Sequence, residues 1–216
     1  MNTCILLKTD TTHSNGAPTA WRDLEPLALG TALWIFMGVA SSLFALFIAS
    51  YAMRMDANDW HPLAMPWQLW LSTLLLIFGS VALQLASRSA RSADWGRARA
   101  LLLMGGIAAL AFICVQLWAW QVLLAAQVRP AGNPAGSFFY LLTAMHGLHV
   151  AGGLLVWCGT MRRAWCAEAS VGSHRIAWSI SLCARYWHFL LAVWLLLFAT
   201  LGWLTPEIVR FICGPR

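Results

Sequence analysis

The sequence predicts an all-α fold, an integral membrane bundle of five transmembrane helices. Its 216 residues are 60% hydrophobic and only 10% charged, too apolar for a soluble domain of this size. Five apolar stretches are long enough to cross a hydrocarbon core about 30 Å thick, which takes roughly 20 residues of helix. Polar or Pro/Gly-rich breaks separate them, each short enough to join antiparallel neighbours.

Taken in order, residues 1–26 carry Lys8, Asp10, Arg22, Asp23 and Glu25 and read as a cytoplasmic tail. Their only apolar run, residues 4–7, is too short for a signal-peptide core, so no cleavage is expected. The first helix spans about 27–53 and stops at "RMDANDWHPLAMP". A second covers about 67–86, up to "SRSARSADWGRAR", and a third about 100–126, up to "RPAGNPAG". The fourth spans about 137–160, before "RRAWCAEASVGSHR", and the fifth about 176–204. Residues 205–216 form a periplasmic tail, so one transmembrane domain, 27–204, makes up the rest, with no soluble domain attached.

Basic residues set the orientation, because Lys- and Arg-rich loops stay cytoplasmic. Lys8, Arg22, Arg88, Arg91, Arg97, Arg99, Arg162, Arg163, Arg175 and Arg185 fall on the side of the N-terminus; Arg54, Arg129, Arg210 and Arg216 fall on the other. The N-terminus is therefore expected inside and the C-terminus outside a bacterial inner membrane. The net charge of +6 is explained by this topology, not by nucleic-acid binding. Trp60, Trp67, Trp70, Trp178 and Trp187 suit an interfacial belt.

Chemistry inside the spans is sparse. The six cysteines include no CxxC pair and read as packing residues, with neither a disulfide framework nor a zinc site implied. All eight acids (Asp10, Asp23, Glu25, Asp56, Asp59, Asp94, Glu168, Glu207) fall in tails, loops or helix ends, which argues against a self-contained proton pump. A small-solute carrier is disfavoured too, because no span is broken by Pro at its middle and no internal repeat is evident.

The remaining interior polar groups centre on "HGLHVAGG", residues 146–153. Helical spacing puts His146 and His149 on one face, as a neutral polar surface for a neighbouring helix, a lipid or a partner. Thr143, Gly147 and Ala151 recur every four residues on another, a small-residue stripe for close helix packing. Structural hydrogen bonding is favoured over ligation for the histidines. Two histidines at i, i+3 cannot clamp one haem. His188, counted from Arg185 as a surface arginine, lies about 5 Å deep against roughly 16 Å for His149. No cofactor or metal is therefore expected in this chain, an independent haem-b protein being the rival from another class.

Two longer segments, "FFYLLTAMHGLHVAGG" and "ARYWHFLLAVWLLLF", together resemble subunit III of the haem-copper respiratory oxidases. The second is carried by Tyr186, Trp187, His188, Phe189, Val193, Trp194 and Phe198. Helix one, "LWIFMGVASSLFALFIASY", is similar to the first helix of the short five-helix bacterial forms. The resemblance implies a non-catalytic subunit of a cytochrome c oxidase, packed on subunit I beside subunit II, with haem and copper in those partners and no small-molecule substrate of its own. It further implies phospholipid binding and support of assembly and sustained turnover. Arg185, Tyr186, Trp187, His188 and Trp194 would then join His146 and His149 as lipid or partner contacts. Two acids common in the family are replaced, by Ala40 in helix one and Leu191 in helix five, so carboxylate-reactive chemistry is not expected. A quinol oxidase or a nitric oxide reductase would use a subunit of the same architecture.

Overall fold

The computed structural model describes residues 20–55, 60, 65–128, 134–166 and 173–204, and no side chain of 20–27 or 173. Most of both tails and Asp56, Asp59, Glu168 and Glu207 lie outside the described residues. Five helices make up the fold: α1 (Ala20–Arg54), α2 (Gln68–Arg91), α3 (Trp95–Ala125), α4 (Pro134–Cys166) and α5 (Ser173–Trp203). All five are long and apolar enough to cross a membrane, and no strand occurs among the described residues.

Each helix overruns its apolar stretch at one or both ends. α4 starts at Pro134 and ends at Cys166, where 137 and 160 were expected. The reason is local chemistry rather than hydropathy. Proline is preorganised for a first helical turn and lacks an N–H that would go unpaired there. At the start of α3 the Asp94 carboxylate accepts from the Arg97 amide at 3.1 Å, capping a helix that begins five residues before the apolar run. Between α2 and α3 the chain reverses in three residues, with Ala93 at φ 59°.

Helices α2 to α5 form the core, around Trp187, Trp194, Phe112, Phe139 and a shell of leucines. Two glycines let aromatic rings of a neighbouring helix approach closely. A Cβ on Gly106 would lie 2.0 Å from the Trp157 ring, whose indole N–H donates to the Leu102 carbonyl at 2.8 Å. One on Gly153 would lie 2.8 Å from Tyr186 Cε1 and 3.0 Å from the Trp187 ring. The expected stripe at Thr143, Gly147 and Ala151 is not an internal seam. Thr143 does pack inward, accepting from Trp120 Nε1 at 3.1 Å, but a Cβ on Gly147 would meet nothing within 4 Å.

α1 stands apart, resting mainly on α5 and α4. Only 11% of its membrane window is buried, against 50% for α2 and α5, so Trp34, Ile35, Val39, Leu43 and Leu46 face outward. Arginines gather at one end of the bundle: Arg88 and Arg91 close α2, Arg97 and Arg99 open α3, Arg163 closes α4 and Arg175 opens α5. Arg99 Nε donates to the Ala164 carbonyl at 2.8 Å, satisfying one of the acceptors that α4 leaves unpaired at its end. Cys114, Cys158 and Cys183 are free thiols, whereas Cys166 is disulfide-bonded, contrary to the packing role expected of it.

Candidate functional site

The bundle is tied together by hydroxyls that work in two directions. Thr73 Oγ1 donates to the Leu69 carbonyl one turn back at 2.8 Å and accepts from Trp194 Nε1 at 2.9 Å. Ser72 does the same between the Leu69 carbonyl (2.9 Å) and Gln116 Nε2 (3.2 Å), and Thr143 between the Phe139 carbonyl (2.6 Å) and Trp120. A hydroxyl has one hydrogen and two lone pairs, so each satisfies its own helix and still receives a donor from a neighbour. The result is a set of interhelical links in a medium without water. Gln116 and Thr143 stand out in the sequence as polar residues within apolar spans, whereas hydropathy alone does not find Ser72 and Thr73.

His146 sits inside this layer. It is fully buried, with ring centroids 5.2 Å from Trp194, 5.7 Å from Phe112 and 6.3 Å from Phe44. Neither of its ring nitrogens has a hydrogen-bond partner among the described residues. The expectation that His146 forms a lipid or partner contact is thus overturned: its neighbours are aromatic rings of its own chain. Trp187 and Trp194 are corrected likewise, at 0% and 1% exposure. Their seven-residue spacing does place them on one face, but that face is the inward one. Tyr186 is buried to 8% exposure and its hydroxyl donates to the His149 carbonyl at 3.0 Å.

His149, Arg185 and His188 remain accessible, to different spaces. His149 Nδ1–H donates to the Met145 carbonyl at 2.7 Å, leaving Nε2 as the acceptor nitrogen. His188 is wired to α2. Its Nε2–H donates to Gln84 Oε1 at 3.0 Å, which fixes the tautomer, so Nδ1 accepts from the Ser80 hydroxyl. Ser80 and Gln84, one turn apart on α2, complete a site that the α5 motif shows only in part.

Depth does not separate His149 from His188 as the sequence spacing predicts. Gly153 lies against Tyr186 and Trp187, so His149, about 6 Å from Gly153 along α4, and His188, about 2 Å past that contact, differ by only about 4 Å in height. Arg185 had been placed at the membrane surface, yet α5 begins at Ser173 and Arg175 occupies its first turn. Ten residues, about 15 Å of helix, separate Arg175 from Arg185. What keeps the histidines from a shared ligand is therefore direction, not depth. His149 lines a groove of about 1020 Å³ between α1, α4 and α5, with Phe36, Val156, Arg163 and Trp178. His188 lines a different one of about 330 Å³ between α1 and α5. No group of three metal-ligating side chains occurs among the described residues.

The replaced family acids fall in contrasting places. Ala40 is buried at 2% exposure, while Leu191 is half-buried against the core.

Comparison with known proteins decides the family. The sequence profile of cytochrome c oxidase subunit III matches residues 25–205. The chain belongs to the cytochrome c oxidase subunit III family. It is 28% identical over 194 residues to the cytochrome bo(3) ubiquinol oxidase subunit 3 of Pseudomonas aeruginosa, covering 88% of this chain and 86% of that one. A probable cytochrome c oxidase subunit 3 of Nocardia farcinica is 29% identical over 185 residues, and one of Mycobacterium tuberculosis 26% over 180, each covering 81% of this chain and 86% of the relative. In a subunit III framework, "YWHF" divides into a buried pair, Tyr186 and Trp187, and an outward His188 anchored to α2. "HGLH" divides into a core His146 and a groove-lining His149.

Proposed function

We propose that this chain is the non-catalytic third subunit of a bacterial haem-copper terminal oxidase, lying in the inner membrane with its N-terminus cytoplasmic. The subunit III match across nearly the whole five-helix domain carries this reading. Catalysis belongs to its partners: subunit I, on which it packs, and subunit II hold haem and copper. This chain contributes a rigid bundle whose polar groups are mostly spent on internal links.

The large groove between α1, α4 and α5 is the phospholipid seat in this reading. Leu29, Phe36, Leu155 and Val156 give it apolar walls for acyl chains, and Arg163 stands toward the arginine-rich end, where a phosphate would lie. Bound lipid would fill the gap beside α1 and hold that sparsely packed helix in place.

Cytochrome c is the electron donor proposed for the complex. A quinol donor is the second reading, favoured by the likeness to a ubiquinol oxidase subunit over 88% of this chain. Membranes from a strain lacking this chain, assayed for oxygen uptake with reduced cytochrome c and with a quinol, separate the two. Loss of sustained uptake with cytochrome c only supports the first reading, and loss with quinol only supports the second. Unchanged uptake with both donors contradicts the proposal.

A further inference from the structure

His149 presents an unanswered acceptor to the large groove. A carbonyl can only accept, so the 2.7 Å contact with Met145 puts the ring proton on Nδ1 and leaves a lone pair on Nε2. That nitrogen has no hydrogen-bond partner among the described residues, and unlike both nitrogens of His146 it is not sealed in the core. His149 lines the groove of about 1020 Å³ between α1, α4 and α5. Its depth follows from α4 itself. Arg99 bonds the Ala164 carbonyl, so α4 meets the arginine-rich end there. His149 stands 15 residues earlier, about 22 Å of helix, close to the middle of Pro134–Cys166. Half of a hydrocarbon core is only about 15 Å thick. A phospholipid whose phosphate meets Arg163 therefore brings acyl chain to His149, with no O–H or N–H to offer it.

The acceptor selects what can sit there. A serine or threonine on a neighbouring transmembrane helix answers it poorly, because such a hydroxyl gives its proton to its own backbone. In this bundle Ser41, Ser50, Thr73, Thr143 and Thr200 all donate to the carbonyl one turn back, and Thr73 and Thr143 then meet other helices as acceptors. A hydroxyl carried on an apolar small molecule keeps its proton free. Aromatic rings surround the acceptor: the Phe36 ring lies 5.9 Å from His149 and 6.0 Å from Tyr186, and all three line the groove. Such rings suit a flat aromatic head group. Leu155 and Val156 continue the apolar wall along which a hydrocarbon tail can lie.

We propose that the deep half of this groove binds an isoprenoid quinol, whose phenolic hydroxyl donates to His149 Nε2. The inference rests on the reading of the groove as a seat for membrane amphiphiles and adds a second ligand to it, deeper than the phosphate. The oxidised quinone carries carbonyl oxygens and no proton to give, so the site separates the two redox forms by hydrogen bonding alone. One hydrogen bond made or lost sets that preference at about tenfold.

The test is purification of the tagged chain with its partners in mild detergent, from membranes held reduced or oxidised, with quinol, quinone and phospholipid extracted and counted. The natural protein is compared with His149→Leu, His149→Gln and Arg163→Met. From reduced membranes the natural protein should retain one more quinol per chain than His149→Leu, and from oxidised membranes that difference should fall about tenfold. His149→Gln, whose amide both donates and accepts, should hold quinol and quinone alike. Arg163→Met should lose phospholipid and keep the quinol. Equal quinol in the natural protein and His149→Leu overturns the site and leaves the phospholipid reading standing. Equal retention of quinol and quinone by the natural protein overturns the donor requirement and the proposal with it. Loss of phospholipid instead of quinol in His149→Leu overturns it in favour of a lipid contact. Undiminished phospholipid in Arg163→Met overturns the phospholipid seat, on which the inference rests.

Discussion

Gly106→Ala places a methyl group where the Trp157 ring already is. The added carbon would sit 2.0 Å from Cζ2 and 2.2 Å from Cε2, where ordinary contact begins near 3.4 Å, so the ring must retreat by more than 1 Å. It has little room to do so: Trp157 is buried, and its N–H is committed to the Leu102 carbonyl on the same stretch of α3. Overpacking costs about 1–3 kcal/mol and a lost hydrogen bond about 0.5–1.5, offset by about 1 kcal/mol of improved helix propensity. The net expectation is a destabilisation of about 1–3 kcal/mol, a roughly 5- to 150-fold shift in the folding equilibrium. Gly147→Ala is the matched control, because its methyl meets nothing within 4 Å and should gain up to about 1 kcal/mol. Reversible unfolding in mixed micelles, titrated with a denaturing detergent, reads both variants. Equal stabilities, or a more stable Gly106→Ala, would refute the assignment of Gly106 to the α3–α4 contact. Gly106→Ala combined with Trp157→Leu should recover part of the loss, as coupling between touching residues requires.

Several further outcomes follow from the polar layer and the topology. His146→Phe should leave stability unchanged or raise it by about 1 kcal/mol, because it removes a buried polar group without partners; a loss above about 2 kcal/mol in the same assay contradicts that placement. His188→Phe should instead cost about 1–3 kcal/mol by stranding Ser80 and Gln84. Trp194→Phe loses the bond to Thr73 and part of the buried ring and should cost about 1–3 kcal/mol, against about 3–5 for Trp194→Ala, and both costs vanish if the indole faces lipid. A reporter active only outside the cytoplasm, fused after Arg216, should be active, and an inactive fusion reverses the proposed orientation.

How far the sequence carried these conclusions depends on the kind of question. Helix number was legible because lipid demands a long apolar run for each crossing, and all five runs became helices. Helix ends were not, since Pro134 and the Asp94 cap extend α4 and α3 through residues that are polar or Gly-rich. Facing was the larger failure. A membrane helix is apolar on its lipid side as well as its core side, so spacing grouped Trp187 with Trp194 without saying that both point inward. The same ambiguity offered Gly147 as a packing residue, while the close approaches lie at Gly105, Gly106 and Gly153. Depth failed because Arg185 was counted at the very surface, although Ser181, one turn earlier on α5, is already buried against Ser87 of α2. His149 and His188 were recognised as residues of interest, but their hydrogen-bond partners, the Met145 carbonyl, Ser80 and Gln84, required the fold.

The central claim is that this bundle serves redox centres held by other subunits. Purifying the tagged chain from its native membrane in mild detergent, identifying what accompanies it and recording the visible spectrum tests that claim directly. The account predicts a copurified haem- and copper-bearing subunit, with the haem spectrum lost when that partner is stripped away. A chain that purifies alone, or keeps a haem band after every partner is removed, would contradict it.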